Sequence, residues 1–106
     1  MVNGEIPVPR VYENEHVIVI KDINPQAPTH LLAIPRSHFS RPDSVSQGDK
    51  SLFANLFAAI IAVVHKEGLD KKGYRLVINA GSTAGQSVDH IHVHILSGRD
   101  MRWPPG

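Results

Sequence analysis

The eight residues Asp89 to Leu96, DHIHVHIL, decide how this chain is read. Histidines occupy every second position, His90, His92 and His94, with Ile91, Val93 and Ile95 between them. Strict alternation marks a strand with two unlike faces. The aliphatic face turns to a core, and the imidazoles share the other face. Alternate side chains on a strand root roughly 7 Å apart, so their rings can converge on one small object. A metal ion and a phosphate group both suit imidazole, as ligand in the first case and as nucleophile or hydrogen-bond donor in the second. A solvated strand face is the third reading.

The residues just before the strand favour phosphate. In NAGSTAGQS, Asn79 to Ser87, the small residues Gly81, Ala84 and Gly85 lead to Gln86 and Ser87. Such loops present backbone N–H groups that cradle anions, and Ser87 adds a hydroxyl. The spacing matches neither glycine-rich phosphate fingerprint, so the loop counts only together with the histidines. The metal reading gains less. Asp89 falls on the opposite face, the chain has no cysteine, and His30 and His38 are left to complete a ligand set.

Working outward, Arg10 to Tyr12 reads as a short edge strand, and His16 to Ile20 as a β-branched strand ending at Asp22, Asn24 and Pro25. Thr29 to Ile34 and Tyr74 to Asn79 are further strands, and Arg36 to Gly48 reads as loop. Between them Leu52, Phe53, Leu56, Phe57, Ile60, Ile61, Val63 and Val64 recur at helical spacing. Asp49 or Ser51 can cap that helix, and Gly68 stops it. The apolar stripe is wide enough to cover a sheet and to meet another subunit. About five strands without regular helical crossovers, plus one long helix, predict an α+β domain on an antiparallel sheet.

Bulk properties set the outer limits. The 106 residues make one domain, 1–106, and 42% hydrophobic with 20% charged residues is an ordinary globular balance. A net charge of +1 and no basic stripe argue against a nucleic-acid partner. The apolar run through Ala58 to Val64 is far short of the roughly 20 residues that span a bilayer. The N-terminal MVNGEIPVPR is too polar for a secretory signal. The chain therefore reads as soluble and cytoplasmic, with the nucleus also open and no membrane partner.

His90-Ile-His92-Val-His94-Ile-Leu resembles the His-φ-His-φ-His-φ-φ signature of the histidine triad superfamily. INPQAPTHLLAIPRSH (Ile23 to His38), GQSVDHIHVHILSGR (Gly85 to Arg99) and the terminal MRWPPG extend the likeness to the branch called histidine triad nucleotide-binding proteins. The resemblance implies a homodimer of that fold that hydrolyses purine nucleoside 5'-phosphoramidates, with no cofactor and no catalytic metal. By position, His92 would be the nucleophile and would carry a nucleotidyl intermediate. His94 would meet phosphate oxygens or the leaving group, Ser87 the bridging nitrogen, and His90 and His30 would order the network. Asp22 would hold the ribose hydroxyls. Asn79, Gly85 and Gln86 would lie toward the phosphate, and Ile6, Ile20 and Ile23 around the purine. Trp103 would reach toward the partner's site, while His38, His16 and His65 are expected to have no catalytic role.

Transferases of the superfamily replace the third histidine with glutamine and place proline between the first two. This chain keeps His94 and has Ile91, which favours hydrolysis. Family members also carry a further strand before NGEIP (Asn3 to Pro7), often with cysteines that bind zinc in some relatives. The resemblance thus implies a missing or truncated strand here and makes a structural zinc site unexpected. Two rival readings stay open: a nucleotide-binding interaction protein with incidental hydrolysis, and a dinucleoside polyphosphate hydrolase.

Overall fold

The β-branched and aliphatic runs fold as strands, joined in a sheet whose two faces separate odd from even positions. The computed structural model describes residues 9–45 and 50–105. Its elements are β1 (Arg10–Glu13), β2 (Val17–Lys21), β3 (Thr29–Pro35), α1 (Lys50–Lys66), α2 (Leu69–Lys72), β4 (Tyr74–Val77) and β5 (Val93–Ser97). The strands form one antiparallel sheet in the order β1-β2-β3-β5-β4. This is the expected α+β architecture of five strands with one long helix.

Val17, Val19, Leu31, Ala33, Val93 and Ile95 share one core with Leu52, Leu56, Ala59, Ile60, Val63 and Val64 of α1. Their spacing explains the arrangement: period 2 on the strands and 3.6 on the helix bring one face of each together. Each fully buried aliphatic side chain contributes about 1.5–3 kcal/mol, so this layer is the main source of stability. Ile18, Ile20 and Ile34 form a second, smaller buried cluster with Leu32 on the opposite face of the sheet. Phe57 and Ile61 lie on the outer side of α1 and stay exposed, at 39% and 53%. The wide stripe therefore has more apolar surface than one sheet covers.

Two local readings are corrected and one is extended. The helix runs from Lys50, so Ser51 is inside it rather than a cap, and Asp49 lies outside the described residues. Gly68 does stop α1, with φ +71, but the chain then turns straight into α2, which buries Leu69. The strand expected over Tyr74 to Asn79 ends at Val77, where its pairing with β5 finishes at His94.

Chain order matters for the site. α1 carries the chain across the sheet to the β4 edge, and β5 then inserts between β3 and β4. Leu32 pairs with His94 and His30 with Leu96, so His30 and His94 are diagonal neighbours on one face. Diagonal pairs lie within reach of long or ring side chains. Two histidines 64 residues apart in sequence meet for this reason.

Candidate active site

β5 begins only at Val93, so His90 and His92 precede it and only His94 stands on the strand. This corrects the picture of three imidazoles lined along one strand face. The physical reason is the ladder: the pairing of β3 with β5 ends at Ala33 with Val93, and Ile91 N instead donates to the carbonyl of Phe39. The alternation survives on the aliphatic side, with Ile91, Val93 and Ile95 all in the core.

Each histidine has a different job in the hydrogen-bond network. His92 Nδ1 lies 2.8 Å from the carbonyl oxygen of His90. A carbonyl can only accept, so neutral His92 carries its proton on Nδ1 and leaves a lone pair on Nε2. His30 is wired the opposite way: the backbone N–H of Gln26 donates to its Nδ1 at 3.0 Å, which places the ring proton on Nε2. That proton faces His94 Nδ1 at 2.9 Å, so His94 accepts on Nδ1 and bears its own proton on Nε2. Asp22 Oδ2 also lies 3.3 Å from His30 Nε2.

His90 is buried at 4% exposure. Its Nε2 donates to the carbonyl of Pro35 at 2.9 Å, and its Nδ1 meets His38 Nδ1 at 2.6 Å. With the His90 proton committed to Pro35, His38 must be the donor in that ring pair. His38 is therefore not an isolated loop residue; it braces the backbone turn whose carbonyl orients His92.

The rings frame a cleft of about 310 Å³ lined by Ile20, Asp22, Ile23, Leu32, Ser87, His92 and His94, with Lys21 and Val88. A second hollow of about 450 Å³, lined by Pro9, Val11, Asp22 and Ile23 among others, shares Lys21, Asp22 and Ile23 with the first. Asp22 and Ile23 thus sit between an apolar hollow and the histidines. Ile23 is 90% exposed.

Other expected site residues are placed differently. Gln86 does not line the cleft. Its Oε1 accepts from Gly81 N at 2.7 Å and its amide donates to the carbonyls of Ser40 and Val88. That side chain holds the loop in shape, because all its polar groups are already used. Gly85 takes φ +94, a conformation that side chains resist, and half-buried Asn79 lies beside it. Trp103 is 83% exposed and does not line the cleft. Ile6 lies outside the described residues. His16 and His65 are surface residues beside Glu15 and Asp70.

The contribution of Gln26 was not visible in the sequence, since it acts through its backbone. Its loop is fixed from the other side: Arg99 Nε donates to the Gln26 carbonyl at 2.9 Å, and Pro28 packs so close to Gly98 that a Cβ there would stand 2.9 Å away.

Burial pushes the His94 ring below the ordinary imidazole range, and neighbouring His92 and His30 act in the same direction while Asp22 opposes them. Burial likewise lowers His90, against the pull of the Pro35 carbonyl. Both rings are therefore neutral at pH 7. The unfolded chain, with ordinary values near 6.5, takes up protons more readily than the fold does. Stability from these groups is fully present above pH ~6.5 and is lost as pH falls through their lower folded values. Urea midpoints should fall between pH 7.5 and pH 5, and the decline should shrink in His90→Phe, which removes one of the two titrations.

The family model of the HIT domain matches residues 3–101. The chain belongs to the HIT domain family. A HIT family hydrolase from Legionella pneumophila Philadelphia 1 superposes with a TM-score of 0.94 at 46% identity, covering 100% of this chain and 95% of that one. A histidine triad nucleotide-binding protein from Candida albicans gives a TM-score of 0.81 at 26% identity, over 99% and 80% of the two chains. The 14 kDa zinc-binding protein of Zea mays is 44% identical over 108 residues, covering all of this chain and 84% of the maize protein. Those matches establish the HIT fold that the triad motif implied.

Among the described residues, Asp22, His30 and His94 have ligand atoms within 4.8 Å of one another. Their wiring does not suit a cation. His30 Nε2 holds the proton because Gln26 N–H occupies Nδ1, and binding a metal at Nε2 would drive that proton onto the nitrogen the amide already fills. The chain also has no cysteine to serve as a thiolate ligand. Among the described residues, moreover, no helix is long and apolar enough to cross a membrane.

Proposed function

We propose that this HIT domain hydrolyses the P–N bond of purine nucleoside 5'-phosphoramidates, such as AMP joined to an amine or to lysine. The observation that carries this reading is the orientation of His92: its proton is tied to the His90 carbonyl at 2.8 Å, and its other nitrogen is left unprotonated beside the cleft. Phosphorus is the electrophile such a nitrogen suits, and covalent relay divides one hard displacement into two easier ones. Nε2 of His92 attacks the α-phosphorus, the P–N bond breaks, and the amine leaves with a proton from the side of the cleft lined by Ser87 and His94. Water then cleaves the nucleotidyl-histidine and restores the ring. The N–H of His94 stabilises the phosphoryl oxygens as their charge grows, the usual role of a preorganised donor.

The nucleoside half of the substrate has a matching place. Asp22 presents a carboxylate at the junction of the two hollows, where it can accept from both ribose hydroxyls, and the apolar hollow beside Pro9, Val11 and Ile23 suits a purine. No cofactor enters this scheme, and the site we assign is cytoplasmic. Multiple turnovers of a fluorogenic adenosine phosphoramidate at steady state are the expected result. Tight nucleotide binding with at most a single turnover would instead make the protein a binder with incidental chemistry.

The HIT domain on this reading is a homodimer, joined through the outer side of α1 and β4, with Trp103 reaching the partner's site. Support comes from exposed apolar side chains on both elements and just past β4: Phe57, Ile61, Tyr74 and Ile78. β4 is also an edge strand, a natural place for pairing. Ile61→Glu should convert the dimer to a monomer at micromolar concentration, as read by light scattering after size exclusion. An unchanged mass would move the interface elsewhere.

A further inference from the structure

Asp22 has a relation to the histidines that ribose binding does not require. One of its oxygens accepts from Asn24 N at 2.8 Å, and its own N–H donates to the backbone carbonyl of His30 at 3.0 Å. The carboxylate is thereby held in place, its side chain only 17% exposed, with Oδ2 turned 3.3 Å from His30 Nε2. The same Nε2 is 2.9 Å from His94 Nδ1. Since the Gln26 amide fills the other ring nitrogen, His30 has one proton, hydrogen-bonded to His94 Nδ1, with the Asp22 carboxylate as a second, more distant acceptor. The nearer acceptor is neutral. The farther one carries a full charge, and charge-assisted bonds are roughly twice as strong as neutral ones. The hydrogen bond runs to His94, and the carboxylate charge pulls on the same proton from 3.3 Å.

We propose that Asp22 is a ribose-sensing gate on His94, so that the sugar sets the rate of the chemical step as well as the affinity. This rests on the hydrolase reading given above. With the ribose site empty, the carboxylate competes for the His30 proton and weakens its hold on His94 Nδ1. A neutral His94 released in this way can move its proton to Nδ1 and present a lone pair from Nε2, which repels phosphoryl oxygens. When two sugar hydroxyls donate to Asp22, its charge is occupied by them. The His30 proton then goes to His94 Nδ1, and His94 must present Nε2–H to the phosphate. A nucleotide without those hydroxyls would bind but meet a poorly prepared donor. The gate discriminates ribonucleosides from deoxynucleosides, and it needs no movement of the backbone.

The test compares adenosine phosphoramidate with its 2',3'-dideoxy analogue in the native protein and in Asp22→Asn. Loss of a donor to a developing oxyanion costs about 10²–10³ in rate, so a partly misdirected one should cost about tenfold in kcat on the dideoxy substrate. Asp22→Asn has no charged competitor for the His30 proton. It should turn over the dideoxy substrate about tenfold faster than the native protein does, while its KM for the ribo substrate rises. A residue that merely grips the sugar, or merely supports the fold, cannot give a gain of this kind. An effect of the missing hydroxyls on KM alone, or an Asp22→Asn protein no faster than native on the dideoxy substrate, would overturn the proposal.

A second measurement stands apart from turnover. ¹⁵N spectra of the histidine rings should show His94 Nδ1 becoming a stronger acceptor when AMP saturates the native protein, and not when 2',3'-dideoxy-AMP does. In Asp22→Asn the free protein should already show the bound pattern. Identical His94 spectra with both nucleotides would refute the gate. Failure of the native protein to hydrolyse the ribo substrate would refute the hydrolase reading instead, and the spectra would still decide the gate.

Discussion

His92→Asn will bind AMP as the native protein does and lose turnover of an adenosine phosphoramidate by at least about three orders of magnitude. Removing a covalent nucleophile typically costs this much or more, because the remaining groups act only through it. Asparagine keeps an amide of similar size that can still donate to the His90 carbonyl, so the loop before β5 should stay in place. What it lacks is a basic lone pair at the position of Nε2. The expected pattern is an unchanged Kd for AMP by calorimetry and a collapsed kcat. A variant retaining more than about one-tenth of native kcat would mean that His92 is not the attacking group.

The second large effect concerns the fold. Leu56→Ala should destabilise the domain by about 3 kcal/mol, within the usual range of 2–5 for a buried leucine. Leu56 is fully buried in the layer where α1 meets β2, β3 and β5. The strand side of that cluster includes the β-branched Val17, Val19, Val93 and Ile95, fixed by strand pairing, so it has little freedom to close the cavity. For a domain of this size the loss corresponds to a fall in Tm of about 10–20 °C. Native stabilities are commonly 5–15 kcal/mol, so the variant should fold at room temperature and keep its kcat per folded molecule. A change in Tm below about 4 °C would show that this layer is not the main core.

The contrast between the two variants reflects what could be read along the chain. Periodicity exposed much of the core: Ile91, Val93 and Ile95 alternate with the histidines, Leu52, Leu56, Ile60, Val63 and Val64 recur at helical spacing, and these are buried, while Phe57 and Ile61 of the same stripe are not. The lining of the cleft was legible in its residues but the wiring between them was not. His92, His94, Ser87, Asp22, Ile20 and Ile23 were singled out and do line one cleft. The start of β5 at Val93 was not legible, because it depends on how far β3 and β4 reach, and strand partners are long-range choices. The His38 pairing with His90 was hidden for the same reason: 52 residues separate them, and the turn after β3 brings them together. Gln26 acts through its amide N–H, which any residue but proline carries, so no side-chain pattern marks it. Gln86 misled in the opposite sense, since a polar side chain beside a phosphate loop is equally suited to bracing the loop.

Two histidines with opposite proton placement are the core of this account: a bare nitrogen on His92 and an N–H on His94, set by the His90 carbonyl and, through His30, by the Gln26 amide. Mass spectrometry of the protein quenched in acid-free conditions during turnover of an adenosine phosphoramidate tests it most directly. The account predicts an added adenylyl group on the peptide containing His92, localised to that ring and absent in His92→Asn. An adduct on His94, His90 or Ser87, or rapid turnover with no adduct at any quench time, would contradict it.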